Sequence, residues 1–371
     1  MKKFVLYLSC LKILTYNFYN FLYFNVRLSF ILVDIGELEM RLEDKLYGSL
    51  RTDDPLILEL LNSKPLQRLK GITQAGYVIF LNSTHPYAKF KVTRYEHSIG
   101  VYALLKKIGA SKLEQVAGLL HDISVPVFAH CIDFLYGKEL EQDFHESFHE
   151  KILLSSEIPS ILKKYKISPE EILERKFTLL DNELPDICAD RIDYSLRDAV
   201  CCLGLKKSTA RSIVDSLTIN EGEIIFSNLE AAKQFGEVFL EIGELYCNPL
   251  QATLFKLVSE IVRLGLEANI LKEEDLFLEE PVVYNKLVKA NDRRINNLLK
   301  IISNLKVVED PKDYDFYLKS KVRYVDPKVL FGKGTKRVSE LDDKFKQKIR
   351  DFINVKSKGF YVKICTSKEA F

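Results

Sequence analysis

Six histidines occur in the chain of 371 residues, and five of them lie between residues 97 and 149. His121 and Asp122 are adjacent in GLLHDIS, His97 lies in RYEHSIGVYALL, and Asp190 lies in ICADRIDYSLRD. Two imidazoles and two carboxylates make a mixed N/O donor set. Such a set suits a single borderline or hard divalent metal, with Mn, Fe, Ni and Mg all open and Zn also accommodated. A metal so held lowers the pKa of bound water toward neutrality and polarises a phosphoryl oxygen. Each piece alone is weak, because a His-Asp pair at a helix end is usually structural and a lone histidine on a helix is usually a core residue. The weight rests on the ordered set.

The run from Asp190 to Asp198 adds geometry. At about 100° per residue, Asp190, Arg191, Tyr194 and Asp198 share one helix face, with Asp193 and Arg197 to one side. That face offers a metal-binding carboxylate, a phosphate-binding cation, a phenol and a second carboxylate. The plain alternative is a solvated face laced with i,i+4 pairs. His130 and Asp133 stand three apart in VFAHCIDFLYG, so on a helix the carboxylate would keep the imidazole oriented and charged. His145 and His149 in DFHESFHEKIL, with Glu146, form an HExxH match. Its charged setting near a turn and the lack of a third ligand argue against a zinc protease.

Helices must position these groups. Apolar residues recur at three- and four-residue spacing in LILELLNS, PLQRLKGITQ, HSIGVYALLKKIG and KLEQVAGLLHDIS. Gly109 closes one of these helices and Ser111 caps the next. SSEIPSILKKY, LEAAKQFGEVFLEIGELY and TLFKLVSEIVRLGLEANIL continue the pattern. After about residue 310, FYLKSKVRYVDPKVLFG and GFYVKI read as strands around a helix at LDDKFKQKIRDFI. The expected architecture is mainly α, a helical body over 40–310 with a small α+β region over 311–371.

Composition sets bounds. Hydrophobic residues make up 47% and charged residues 29%, an ordinary globular balance, and a net charge of +2 imposes no polyanionic partner. Seven cysteines without a CxxC pair read as reduced thiols of a cytoplasmic protein. Residues 1–39 are apolar, but Lys12, Asn17, Asn20, Asn25 and Arg27 interrupt them. This leaves no clean run of about 20 apolar residues for a membrane span. Met40 is the only methionine besides Met1. The stretch after it reads as a protein start, so the expectation is that translation begins at Met40, with 1–39 a leader from an extended gene model, and no membrane partner.

Four motifs in order, PLQRLKGITQAG, TRYEHSIGV, LLHDIS and ADRIDYSLRD, resemble the HD superfamily. Within it they resemble the deoxynucleotide triphosphohydrolase branch, with the likeness running from about Arg41 to Ala268. The resemblance implies an HD-domain helical bundle with His97, His121, Asp122 and Asp190 as metal ligands. Arg94 and Arg191 would contact phosphates, and Tyr194, Asp198 and Gln74 would face the sugar. His145, supported by Asp133, would be the general acid, His130 would approach the phosphate nearest the sugar, and His149 is the alternative acid. The reaction implied is hydrolysis of a deoxynucleoside triphosphate to deoxynucleoside and triphosphate by a homo-oligomer.

The sequence departs from that branch at several points. Val125 stands where a second histidine is expected, Ala75 replaces a larger apolar residue beside Gln74, and Thr253 stands in place of a tyrosine. Asn62 and Lys70 replace the Asp and Arg of a guanine-reading regulatory site. Two other readings follow: a phosphatase or phosphodiesterase on another phosphate ester, or a metal-loaded module that binds nucleotide or nucleic acid through a basic set between 319 and 348 that includes Lys319, Lys321, Arg323, Arg337 and Lys348. Acidic residues interleave those lysines, which favours a solvated face over a nucleic-acid surface.

Overall fold

The computed structural model describes residues 40–365, so the reading of 1–39 as a leader falls outside the described residues. An antiparallel hairpin of β1 (Met40–Asp44) and β2 (Gly48–Thr52) comes first. Asp44 closes its turn by accepting the N–H groups of Leu46 and Tyr47, both at 2.8 Å. Helices then dominate. Those that carry the site are α1 (Arg94–Ile108), α2 (Lys112–Leu120), α3 (Cys131–Leu135), α4 (Glu146–Leu154), α5 (Ala189–Asp198), α6 (Leu229–Tyr246) and α7 (Pro249–Glu267).

Local chemistry sets the ends of α1 and α2. Thr93 Oγ1 accepts the Glu96 N–H at 3.1 Å, and Glu96 accepts the Thr93 N–H at 3.0 Å. This reciprocal capping box satisfies donors that the first turn would otherwise leave open. At the other end Gly109 takes φ +82°, a conformation that costs a residue with a Cβ. Ser111 Oγ then accepts the Glu114 N–H at 3.2 Å and starts α2. The chain thus turns back within residues 109–111. At about 1.5 Å per residue, the climb from His97 to the turn and the return to His121 are nearly equal. The helical hairpin therefore brings the two histidines level.

Two apolar clusters form the body. One gathers Val101, Leu104, Val116, Leu120, Ile192, Leu196 and Phe235 from α1, α2, α5 and α6. The other gathers Tyr77, Phe80, Val127, Phe128, Leu254, Val258 and Ile261 around α7. Large apolar side chains buried in this way contribute about 1.5–3 kcal/mol each before entropy is counted.

Strands join distant parts of the chain. β3 (Leu217–Asn220) and β4 (Glu223–Phe226), a hairpin the sequence reading did not contain, share a sheet with β7 (Lys328–Phe331) and β8 (Gly334–Arg337) in the order β3-β4-β7-β8. β5 (Val307–Glu309), β6 (Phe316–Leu318) and β9 (Phe360–Ile364) form a second sheet with β9 central. The predicted helix forms as α8 (Asp343–Lys356), with the rings of Phe345 and Phe352 over Gly236 and Gly243 of α6. Of the long stretch read as strand, residues 316–318 and 328–331 pair, and 319–327 are irregular. Arg337 and Lys348 pair with Asp186 and Glu237, as expected of a solvated mixed-charge face. Among the described residues no helix is long and apolar enough to cross a membrane.

Candidate metal centre

His97 lies in the first turn of α1, His121 caps the C-terminus of α2 with Asp122 after it, and Asp190 lies in the first turn of α5. Their polar atoms converge. His97 Nε2 is 2.8 Å from Asp190 Oδ1, 3.3 Å from His121 Nε2 and 3.9 Å from Asp122 Oδ2. His121 Nε2 is 3.6 Å from both Asp122 Oδ1 and Asp190 Oδ1.

The outward nitrogens fix the direction of the inward ones. His97 Nδ1 donates to Asp193 Oδ2 at 2.8 Å, and His121 Nδ1 donates to the Gly118 carbonyl at 2.8 Å. Each Nε2 then turns a lone pair toward the other, with two carboxylates beside them. Facing lone pairs at this distance favour a cation beside them, either a proton shared with Asp190 or a metal ion. Two neutral imidazoles and two carboxylates carry the −2 charge that a divalent ion balances, so the residues fit a metal.

The titration pattern tells the same story with a proton in that place. Burial disfavours a charged His97, but hydrogen bonds to Asp190 and Asp193 outweigh it and hold its pKa at about 10. Burial works against ionised Asp122, yet Arg94 and the two imidazoles hold its carboxyl well below the usual range. Asp190 is likewise held low against burial by His121 and His97.

The cluster lies at a cavity of about 890 Å³ where the two apolar clusters meet, a size suited to a small-molecule ligand. Gln74, Arg94, His130, His145, His149, Arg191, Tyr194 and Asp198 all line it. Arg94 Nη1 donates to Asp122 Oδ2 at 3.1 Å. Arg94 Nε and Gln74 Oε1 are buried with no hydrogen-bond partner among the described residues, which suits groups that await a ligand. Arg191 donates to the carbonyls of Asp186 at 2.6 Å and Asn182 at 3.0 Å. Asp198 accepts the Tyr246 hydroxyl at 2.6 Å, and burial pushes its carboxyl up to about 6.

Two expectations change. Asp133 bonds His130, not His145: its Oδ2 accepts from His130 Nδ1 at 2.9 Å. Its Oδ1 accepts the Phe144 N–H at 3.1 Å, so it holds the backbone one residue before His145 and makes no hydrogen bond to the His145 ring. The His130 imidazole is not held charged, because burial outweighs Asp133 and lowers its pKa. The His145 and His130 rings stand 6.1 Å apart, and burial pushes His145 down to about 4. Val125 is buried in the apolar cluster around α7 and contributes no polar atom to the cavity. His149, whose Nδ1 is 3.4 Å from Ser124 Oγ, reaches this wall from α4 instead.

Several residues have a role that the sequence reading did not assign. Asp193 holds His97 from behind, and Arg197 bridges Asp193 at 2.8 Å and Asp44 at 3.0 Å. A Cβ on Gly100 would meet Arg197 Nη2 at 2.0 Å and Asp193 Oδ1 at 2.1 Å, so the glycine one turn after His97 makes room for this pair. A glycine three residues past a candidate ligand, and an Asp three residues past Asp190, were the available signals. Ser320, Lys321 and Arg323 also line the cavity; the sequence reading places Lys321 and Arg323 on a basic C-terminal face, not at this site.

The HD domain family matches residues 94–197. The chain is 34% identical over 329 residues to the uncharacterized protein YdhJ of Bacillus subtilis, covering 88% of this chain and 99% of that one. It is 30% identical over 311 residues to the metal-dependent phosphohydrolase cns2 of Cordyceps militaris, covering 81% and 87%. A shorter likeness, 28% over 141 residues, links it to the deoxynucleoside triphosphate triphosphohydrolase SAMHD1 of Mus musculus, covering 32% of this chain and 20% of that one.

Proposed function

This chain belongs to the HD-domain superfamily, and from that premise we propose that it is a metal-dependent phosphohydrolase of nucleoside phosphates. Its leading substrate is a deoxynucleoside triphosphate, cleaved to deoxynucleoside and triphosphate. The observation that carries the reading is the pair of facing Nε2 atoms 3.3 Å apart, flanked by Asp122 and Asp190, at a cavity of nucleotide size. The motif order shared with the triphosphohydrolase branch supports the nucleotide.

His97, His121, Asp122 and Asp190 would hold one divalent ion, which when bound supplies Lewis acidity and a nucleophile near neutral pH. Arg94, tied to Asp122, lies where charge develops on the phosphoryl oxygens. Arg191 is anchored by two carbonyls on the same wall. His145 sits beside His130 and carries no proton in the free cavity, since its pKa is about 4. The negative charge of an entering phosphate raises that value and makes His145 the donor to the leaving oxygen. Tyr194, Gln74 and Asp198 face the sugar, and Ala75 widens that end.

One observation favours a second reading, a phosphatase or phosphodiesterase on another phosphate ester. Glu146, Glu150, Glu170, Glu174, Asp181 and Glu183 line the same cavity and oppose the outer charges of a triphosphate. The test is incubation of protein purified without chelator with each dNTP, rNTP and nucleoside monophosphate in Mn²⁺ or Mg²⁺, with products separated by ion-pair chromatography. Deoxynucleoside plus triphosphate, absent with Asp122→Ala, supports the leading reading. Inorganic phosphate alone supports the second. No turnover on any nucleotide by protein with a filled metal site sinks the first.

A further inference from the structure

The segment from Lys319 to Pro327 has no regular secondary structure. It leaves one sheet at Leu318 and joins the other at Lys328. Both ends are pinned. Leu318 packs with Ala252, Phe360 and Val362. At the far end Val325 is buried in the core. The Asp326 N–H donates to the Pro185 carbonyl at 3.0 Å, and the Asp326 carboxylate accepts the Ser339 hydroxyl at 2.6 Å. Between the pins, the Lys321 carbonyl accepts from Cys247 Sγ at 3.3 Å and Lys321 Nζ donates to the Glu141 carbonyl at 2.5 Å. The segment is therefore a fixed strap, and it presents Ser320, Lys321 and Arg323 to the cavity.

Three arginines line that cavity, and they differ in what their donors do. Arg94 is tied to Asp122, and Arg191 to two carbonyls. The Arg323 guanidinium has no ion-pair or hydrogen-bond partner among the described residues. Five N–H donors in a planar fork therefore stay open. The charge of Arg323 acts on His130, Tyr194 and Cys247. These three residues stand before α3, on α5 and at the end of α6, and His130, Tyr194 and Arg323 line the same cavity. A half-buried guanidinium with open donors, lining this cavity, counts as a binding group for an anion.

We propose that Arg323 is the phosphate anchor of the cavity, a bidentate fork for non-bridging phosphate oxygens that the C-terminal strap delivers, not the HD helices. Lys321 adds a point charge beside it. The inference rests on the phosphohydrolase reading for the identity of its ligand, a phosphate ester or polyphosphate. It assigns substrate anchoring to a part of the chain outside the family match at 94–197.

The test is calorimetric titration of the full chain, metal-loaded, with tripolyphosphate and separately with orthophosphate at fixed ionic strength. The variants are Arg323→Gln, Arg323→Lys and, as a control on the exposed end of the helix Arg293–Ser303, Arg293→Gln. Arg323→Gln should weaken tripolyphosphate binding about tenfold or more with unchanged metal content and melting temperature. Arg323→Lys should keep part of the affinity, since it retains charge but not the fork. Three results overturn the proposal: equal affinity in Arg323→Gln, an equal loss in Arg293→Gln, or no saturable binding by the wild type. Turnover separates this failure from that of the hydrolase reading. Protein that binds tripolyphosphate through Arg323 but cleaves no ester keeps the anchor and loses the reaction. Protein that cleaves an ester with KM indifferent to Arg323 keeps the reaction and loses the anchor.

Discussion

Asp193→Asn is expected to weaken metal binding while leaving the fold in place. Asp193 is fully buried and both its oxygens are in use. Oδ2 accepts from His97 Nδ1 at 2.8 Å and from Arg197 Nε at 2.9 Å, and Oδ1 accepts from Arg197 Nη2 at 2.8 Å. An amide has a single acceptor oxygen and cannot serve all three donors. Turned one way, its NH₂ opposes Arg197. Turned the other way, it opposes His97 Nδ1 and selects the tautomer whose Nε2 carries the proton. That tautomer has no lone pair to offer a metal. Loss of such a partner behind a ligating histidine costs about 10- to 100-fold in metal affinity, or about 1.4–2.7 kcal/mol. Arg197 keeps Asp44 at 3.0 Å, and the side chain keeps its shape, so folding should survive. An opposing effect exists: without the Asp193 charge His97 holds its proton less tightly, which helps the metal near neutral pH. The assay is therefore competition against a fluorescent chelator across a pH series, with thermal melts to confirm folding. The affinity loss should persist at high pH, where proton competition fades. Wild-type affinity in folded Asp193→Asn at high pH would refute the reasoning.

Three further outcomes are expected. A carboxyl raised to about 6 from 3.8 binds its proton better in the folded state, so the stability Asp198 contributes is full below about pH 4 and is lost as pH rises through about 6. The difference is about 3 kcal/mol. Asp198→Asn should therefore melt above the wild type at pH 8 and converge with it at low pH in scanning calorimetry, while losing sugar discrimination. Metal removal should lower the melting temperature reversibly, by the equivalent of about 2.7 kcal/mol when metal stands 100-fold above its Kd. Asp122→Ala should show no metal-dependent shift in the same melt. His145→Gln should lower kcat by about 10²- to 10⁴-fold with unchanged metal content. A p-nitrophenyl phosphate ester, whose leaving group needs no proton, should escape most of that loss, and His149→Gln should change the ratio less.

The helical elements of the site were legible in the chain. Thr93 and Glu96, Gly109 and Ser111 mark the ends of α1 and α2 by their own backbone chemistry, and those ends put His97 level with His121. The face of α5 was legible for the same reason, since helical spacing alone places Asp190, Arg191, Tyr194 and Asp198 on one side. These are local matters of hydrogen bonds and turn geometry within a few residues. The partnerships across elements were not legible. Which nitrogen of His97 faces inward depends on Asp193, 96 positions away, and the room for Asp193 depends on the missing Cβ of Gly100. The pairing of Asp133 with His130, the retreat of Val125 into the core and the exposure of Arg323 to the cavity depend likewise on packing. The sequence by itself determined the donor types and the helices that carry them, because those follow from side-chain chemistry and short-range periodicity. Only the tertiary structure decided which groups meet, which are satisfied and which stay open, because burial and hydrogen-bond satisfaction are properties of neighbours distant in the chain.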